Sequence, residues 1–518
     1  MANKKFYVTT PIYYLNAEPH IGTAYTTIAA DVLARYKRMC GDEVFFLTGT
    51  DEHGQKIARA AQQAGLSPKE FTDKLAPKFK EAWQRLNLSY DYFIRTTDPA
   101  HENAVKALFQ KIHQNGDIYK GKYSGWYCSP CERYISLKES PDKKCPVCQR
   151  EGEYFEEENY FFKLSKYQGR LLEHLKQNPQ FIEPSYRYNE IFNRVESGMD
   201  DVSVSRAELE WGIPLPNDPS QVIWVWFDAL INYISALGYP DEQGKYREFW
   251  PADVHLIAKD ILWFHSVIWP CLLMSAGLPL PKKVFAHGWW TMNRDKISKS
   301  KGNVIYPAEV IAKVGIDGLR YFLMKEIPFG LDGDFSYPAL YSRYNNELGN
   351  DLGNLLLRTL TMLEKYFEGK VPAKSDPKFT AKVGSCGVHK SGDALKTEMI
   401  MEHLDRLEFH LALEEIWTII RESNKFIDAS KPWALAKTKS PELPQVMYSL
   451  VETIRIVAVL IAPFMPDTSK SILVQLGLIG EAPKMPQDLQ WGGLPAGLKT
   501  SKAQALFPRI EDTNEAVV

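Results

Sequence analysis

Apolar positions along the chain alternate between the period of strands and that of helices. Residues 5 to 15 place Tyr7, Val8, Ile12, Tyr13 and Tyr14 between polar ends, a β-branched and aromatic run that predicts a buried strand. Beyond Gly22 the period becomes helical, with Ile28, Val32, Leu33 and Tyr36 on one stripe. Val44 to Thr48 predicts a second strand ending at Gly49. Two strands joined by a helix imply parallel pairing. The same order returns as a strand over 254–258, a helical run from Ile261 to Met274, and a strand over 284–286. From about Tyr344 the spacing is helical throughout. Leu348, Leu352, Leu355 and Leu356 mark one helix, Leu404, Phe409, Leu413, Ile416 and Ile420 another, and Leu450, Ile454, Val457 and Ile461 a third. Residues 370–393 are rich in Lys, Ser and Gly and predict a loop, and the final dozen residues predict disorder. The expectation is an α/β fold: a doubly wound parallel-sheet domain, split by an insertion and followed by an α-helical bundle.

Composition adds limits. A chain of 518 residues exceeds one core, and about three domains are expected. The net charge of −2 means that a polyanionic partner must meet a local basic patch. The N-terminus runs into the first strand without a long apolar leader, and runs such as Ile454 to Phe464 stop short of a bilayer's thickness, so no membrane segment is expected. Seven Cys, four of them in two Cys-x-x-Cys pairs, favour reduced thiols and a metal over disulfides, hence a cytoplasmic location.

Three groups of residues carry chemistry. Pro19-His20-Ile21-Gly22-Thr23 lies at the first strand-to-helix junction, where unpaired N–H groups and the helix dipole suit phosphate. Alone, a His beside a Gly at a turn is ordinary. Lys296-Ile297-Ser298-Lys299-Ser300-Lys301 follows the last strand, and a cationic loop there can stabilise charge developing on pyrophosphate. Cys128 and Cys131, with Cys145 and Cys148, have the spacing of a tetrahedral Zn2+ site, structural because four thiolates leave no open position. Two further patterns read first as packing. Trp226, Ala229, Leu230 and Tyr233 have helical spacing, and Asn354 lies one turn from Arg358. His265 by itself reads as a hydrogen-bonded core histidine, and Trp433 after Pro432 as a bundle anchor.

The pairing of HIGT with KISKS, in that order and on those elements, resembles the class I aminoacyl-tRNA synthetases. The stretches TTPIYYLNAEPHIGTAYT, FFLTGTDEHGQKI, VIWVWFDALINYI, HLIAKDILWFHSVIWP and FAHGWWTMNRDKISKSKGN resemble the methionyl-tRNA synthetases, over essentially the whole chain to about Gly480. The resemblance implies a Rossmann-like catalytic domain in two halves, 1–117 and 218–306. The insertion 118–217 would be a connective peptide with one zinc knuckle, 307–343 a stem-contact linker, and 344–518 an α-helical anticodon-binding domain. It implies activation of L-methionine with ATP and Mg2+ to methionyl adenylate, then transfer to tRNA(Met), initiator tRNA included, releasing AMP and diphosphate. His20, Thr23, Lys296 and Lys299 would be catalytic, with Gly22, Gly288 and Ser298 also binding ATP. Methionine would meet Ile12, Tyr14, Asp51, Trp226, Ala229, Leu230, Tyr233, Ile261 and His265. Asp51 would pair with the ammonium, while the Tyr233 hydroxyl and the Ile12 N–H face the sulfur. Asn354, Arg358 and Trp433 would read the anticodon CAU. Thr23 departs from the second His common in the family. A monomer is expected, since no appended oligonucleotide-binding domain follows the bundle. A cysteine-specific relative would need a catalytic zinc near His20, where only Cys40 stands. A non-catalytic zinc-ribbon protein would have no use for the lysine loop.

Overall fold

The computed structural model describes residues 4–511 apart from 17, 136–139, 147, 208, 293–294, 297–303, 374–394 and 481; at 130, 155, 295–296 and 395–396 it describes the backbone only. The chain groups into two compact units. One is Lys5–Ala30 with Val44–Gly288. The other is Met1–Lys4, Asp31–Glu43 and Trp289–Val518.

The first unit is built on a six-stranded sheet. Its strands are β1 (Lys5–Tyr14), β2 (Glu43–Asp51), β3 (Tyr92–Arg95), β4 (Ile182–Glu183), β5 (Val254–Ala258) and β6 (Val284–His287), in the spatial order β3-β2-β1-β5-β6-β4. The pairs β2–β3, β1–β5, β5–β6 and β6–β4 are parallel, with Leu47 opposite Tyr92, Val8 opposite Val254, His255 opposite Val284 and Val284 opposite Ile182. Parallel strands covered on both faces read as continuous apolar runs, which is why β1, β2, β5 and β6 were visible in the sequence. The strands β3 and β4 were not foreseen. The chain moves outward from β1 to β2 and β3 on one side; on the other it lays down β4 at the far edge first, then β5 beside β1 and β6 between β5 and β4. The order therefore reverses between β1 and β5, where open α/β sheets leave a crevice.

The helix Ile21–Met39 starts at the HIGT motif, and Ile28, Val32, Leu33 and Tyr36 are buried as the stripe predicts. The helical run after β5 is less regular than expected. It comprises a 3-10 turn at Lys259–Ile261, wider π-type turns over Phe264–Ile268 and an α-helix over Trp269–Ala276. Pro270 has no N–H to continue an α-type ladder, and a π-bulge answers that defect while turning Phe264 and His265 inward. Within the expected insertion, the long hairpin Ile118–Cys128 with Glu153–Phe162 anchors a four-stranded antiparallel sheet completed by Arg133–Ile135 and Val202–Ser203. β4 also comes from this span.

The second unit is helical from Pro307–Lys325 onward, earlier than the sequence pattern suggested. The expected stripe from Leu404 to Ile420 crosses a break. Leu395–Asp405 ends before Leu407, which has φ 60°, and Phe409–Ser430 begins anew on the same apolar face. Leu443–Ile461 is long and apolar enough to cross a membrane, contrary to the run-length argument, but 89% of that window is buried in the bundle as a core helix. Arg320 is fully buried. Its guanidinium donates to Asp31 Oδ2 at 2.7 Å and to the carbonyls of Phe464 at 2.8 Å and Pro463 at 3.0 Å.

Gly49 is the tightest point of the sheet, since a Cβ there would lie 2.1 Å from the Ile94 carbonyl oxygen on β3. Backbone held in register on the paired strand β3 cannot step aside as a flexible side chain can. Gly49→Ala is expected to destabilise the protein by about 3 kcal/mol. Denaturant unfolding of the two proteins measures this, and an unchanged midpoint would contradict it.

Candidate functional site

The parallel strands of the first unit bring their C-terminal ends to one edge, and most of the expected residues lie there. Asp51 is the last residue of β2 and only 3% exposed. Its Oδ1 is buried and accepts no hydrogen bond, and the hydroxyl of Tyr14, the last residue of β1, is likewise buried without a partner. Burial, then the negative charges of Asp228 and Glu132, raise the Asp51 pKa well above the usual carboxylate range. Glu132 reaches this edge from the residue after Cys131. Its Oε1 accepts the Lys56 N–H at 2.9 Å, and its carboxylate lies where a Cβ on Gly54 would sit, 2.9 Å away. Gly54 has φ +97°, so glycine is required there on two counts. Lys56 Nζ lies 4.7 Å from the centre of the Tyr14 ring.

The apolar wall comes from Val225–Leu230, Asn232–Ser235 and the π-type turns. Trp226 stacks flat on Phe264, with centroids 3.7 Å apart and planes within 3°, and the Trp226 indole N–H has no partner. Ala229, Leu230 and Tyr233 are buried, while Ile12, Tyr14 and Ile261 are half-buried against the same core. The helical stripe is therefore core and wall at once. The Tyr233 hydroxyl and His265 Nε2 are 2.7 Å apart, and His265 Nδ1 is 3.0 Å from the Ile261 carbonyl oxygen. That oxygen only accepts, so Nδ1 carries the ring proton and Tyr233 donates to Nε2. Burial holds the His265 pKa down at about 4, which keeps the ring neutral. In this state the Tyr233 proton is committed to His265 rather than to a ligand.

At the HIGT turn, His20 Nδ1 accepts the Gly22 N–H at 3.1 Å, which leaves the proton of the neutral ring on Nε2. A Cβ on Gly22 would meet the His20 ring at 3.0 Å. Thr23 Oγ1 accepts the His20 N–H at 3.0 Å and donates to the His20 carbonyl at 2.7 Å, so its hydroxyl shapes the turn. Beyond β6, His287 Nδ1 lies 2.7 Å from the Gly288 carbonyl oxygen and Nε2 lies 2.6 Å from Thr26 Oγ1. Ser298 and Lys299 lie outside the described residues, and Lys296 is described only as backbone of the short strand Asp295–Lys296.

In the second unit the helix Asn354–Phe367 packs against the short helix Pro432–Lys437. Trp433 is 41% exposed, and Arg358 donates to Asp428 Oδ1 at 2.7 Å. In the insertion, the sulfurs of Cys128, Cys131, Cys145 and Cys148 all lie within 4.8 Å of one another, with Cys128 and Cys148 at 3.5 Å. Cys128 and Cys145 are buried beside Ile135, and Trp126 covers the group.

Sequence reading missed several groups at the sheet edge: Glu132, Lys56, His287 and a buried set formed by His53, His101 and Asp228. The signal for the last was present, since Asp228 is a carboxylate inside the apolar run VIWVWFDALINYI.

Comparison with known proteins gives two family matches. The model described as class I tRNA synthetases (M) matches residues 6–156 and 135–360, and that of the anticodon-binding domain of methionyl tRNA ligase matches 392–517. The methionine–tRNA ligase of Caldanaerobacter subterraneus is 48% identical over 515 residues, covering 99% of this chain and 80% of the relative. That of Thermotoga maritima is 48% identical over 512 residues, 98% of this chain and 80% of the relative. Among solved structures, Mycobacterium tuberculosis methionyl-tRNA synthetase in complex with methionyl-adenylate is similar with a TM-score of 0.92 at 40% identity, covering 98% of this chain and 100% of that one. Its apo form gives 0.86 at 37% identity, covering 98% and 99%.

The neutral His265 has a consequence for stability. An unfolded histidine takes up a proton near pH 6.5, whereas the folded ring refuses it until about 4. The His265 contribution is therefore fully present above about pH 6.5 and is lost as pH falls through that window. The slope approaches about 1.4 kcal/mol per pH unit. Denaturant titrations from pH 7 to 4 should show a flatter loss for His265→Gln than for the wild type, and parallel curves would contradict the buried neutral ring.

Proposed function

The chain belongs to the methionyl-tRNA synthetases of class I, and from that membership we propose that it activates L-methionine with ATP and transfers it to the 3′ end of tRNA(Met), initiator tRNA included. The products are methionyl-tRNA, AMP and diphosphate. The observation that carries the assignment of the site is Asp51: a buried carboxylate oxygen without a partner, at the sheet's C-terminal edge. A bound ammonium would supply the missing hydrogen bonds and draw the carboxyl back to its ionised form. The wall of Trp226, Ala229, Leu230 and Tyr233 offers the thioether an apolar, polarisable surface, with Ile12, Tyr14, Ile261 and His265 beside it.

The chemistry needs no protein nucleophile. The methionine carboxylate attacks the α-phosphorus of ATP, the bond to pyrophosphate breaks, and the charge on the departing group must be stabilised. His20, through Nε2–H, and the backbone at Gly22 suit phosphate oxygens, while Thr23 acts by holding the His20 turn. The family resemblance assigns Lys296, Ser298 and Lys299 to the triphosphate, and Gly288 to ATP. Mg2+ arrives with the nucleotide.

The cysteine group fits zinc. A tetrahedral Zn2+ holds thiolates at about 2.3 Å, which puts the sulfurs about 3.8 Å apart, the spacing range seen here. Cys128, Cys131, Cys145 and Cys148 would hold it, and the ion would brace the turn that projects Glu132. Reduced thiolates of this kind suit the cytoplasm. Residues 1–117 and 218–306 form the catalytic domain in this reading, 118–217 the connective insertion, 307–343 the stem contact and 344–518 the anticodon-binding domain. Exposed Trp433 suits stacking on an unpaired base, and Asn354 and Arg358 suit hydrogen bonding to base edges.

The test separates the two ends of the reaction. Methionine, and neither leucine nor cysteine, should support ATP–pyrophosphate exchange, and Asp51→Asn should raise the methionine KM roughly 10- to 100-fold, the scale of a lost charge-assisted bond. Trp433→Ala should leave exchange intact and lower tRNA charging by about 1–3 kcal/mol of binding. Exchange driven equally by leucine would overturn the substrate, and a Trp433→Ala loss shared by exchange would make that residue a bundle anchor.

Metal analysis of the purified protein should find one zinc per chain. Cys128→Ser should release it and lower the melting temperature, because metal binding contributes folding free energy to a small loop-rich module. Protein free of metal with unchanged stability would contradict the site.

A further inference from the structure

Asp228 sits in the middle of Val225–Leu230, flanked by Trp226, Phe227, Ala229 and Leu230, and is 1% exposed. Both of its oxygens are used. Oδ2 is 2.8 Å from His53 Nδ1, and Oδ1 is 2.7 Å from His101 Nε2. The other nitrogen of His101 is 2.7 Å from Ser235 Oγ. His53, His101 and Ser235 are also buried. A carboxylate only accepts, so both ring nitrogens facing Asp228 carry protons.

These groups have no part in the reaction as assigned above. Stability alone is a poor reason for them, since packed apolar residues generally serve a core as well as a buried ion pair. Their placement suggests another role. His53 lies two residues beyond Asp51, in the loop that leaves β2. Asp228 shares one helical turn with Trp226, Ala229 and Leu230, and Ser235 lies two residues beyond Tyr233. The chain of contacts thus ties the ammonium side of the site to its apolar wall. His101 adds a third support from the helix Pro99–Gln114 behind them.

We propose that His53 and Asp228, braced by His101, form a buried clamp of positioning residues that holds Asp51 and the Trp226–Tyr233 wall at the separation methionine requires. The clamp rests on the reading of Asp51 as the ammonium ligand. The charges agree with the geometry. Burial acts to strip the proton from His53, but Asp228, with Glu102 and Glu52 also facing the ring, raises its pKa above the ordinary histidine value. Asp228 is held below the usual carboxylate range against its own burial, by His53 and His101. The Asp228 charge is one of those bearing on Asp51, and a backbone hydrogen bond from His53 acts on Asp51 in the opposite sense.

The test uses the full chain, with ATP–pyrophosphate exchange and thermal melting of His53→Gln, His101→Gln, Asp228→Asn and the double variant His53→Gln/Asp228→Asn. His53→Gln and Asp228→Asn should each raise the methionine KM on the order of 10- to 100-fold, the scale of a small displacement of a ligand-holding group. Their kcat and ATP KM should stay within about threefold of the wild type. The double variant, which pairs two amides and buries no lone charge, should be no worse than the poorer single variant. His101→Gln should show a weaker form of the same split. Unchanged methionine KM with a lowered melting temperature would overturn the clamp, as would parallel loss of kcat and of both KM values. Failure of all three single variants to fold would equally overturn it, by making the set a folding core. The underlying reading fails separately: Asp51→Asn would then keep the wild-type methionine KM whatever the clamp variants do.

Discussion

Two parallel strands cannot be joined by a tight turn. Each must be followed by a crossover long enough to return the chain to the other end of the sheet. That constraint governs the first unit. Between β1 and β2 the crossover is the helix that begins at HIGT, so its N-terminus is delivered to the C-terminal edge. Between β3 and β5 the crossover is long enough to hold a whole antiparallel sheet, a cysteine cluster and an edge strand. Three of the residues argued to bind methionine are left at strand ends by this winding: Tyr14 at the end of β1, Asp51 at the end of β2, and Ile261 just past β5.

Bringing such ends together concentrates polar groups in an apolar setting, and the edge handles them in two ways. Some are matched internally. Asp228 meets two imidazoles, Tyr233 meets a neutral His265, and His20 is folded onto the backbone of its own turn. Others are left without a partner, namely Asp51 Oδ1, the Tyr14 hydroxyl and the Trp226 indole N–H. A buried polar atom without a partner is unfavourable unless a ligand completes it. Those three atoms lie on the surface argued to meet methionine, whereas others without a partner, such as His255 Nε2 and Asn232 Oδ1, lie in the structure behind it.

Much of this was legible in the chain. The strands β1, β2, β5 and β6 are long apolar runs, the cysteine spacing named a metal cluster, and the Trp226 to Tyr233 stripe marked a buried helix face. What escaped notice has physical reasons. β3 and β4 have four and two residues, too short for any period to register. The stripe through Leu404 and Phe409 kept its apolar face across a change of helix, because burial constrains the face and not the continuity of the backbone. The meeting of His53 with Asp228 spans 175 positions, and that of Glu132 with Gly54 crosses from the insertion to the sheet. No local pattern encodes such contacts. Within TDEHG, Asp51 had a role from the family resemblance, whereas His53 and Gly54 could be given theirs only once their distant partners were visible.

The guanidinium of Arg320 gathers Asp31, near the start of the chain, with two carbonyls at Pro463 and Phe464. Synthesis proceeds from the N-terminus, and domains tend to fold as they emerge. The strands β1 to β6 are complete once His287 has left the ribosome. Asp31 at that moment has Arg35, one turn along its own helix and 2.7 Å away, but still lacks Arg320. The second unit closes only when residues beyond Phe464 have emerged. The order of translation therefore imposes an order of assembly, in which Asp31 meets its second arginine only after the helices of the second unit have been made.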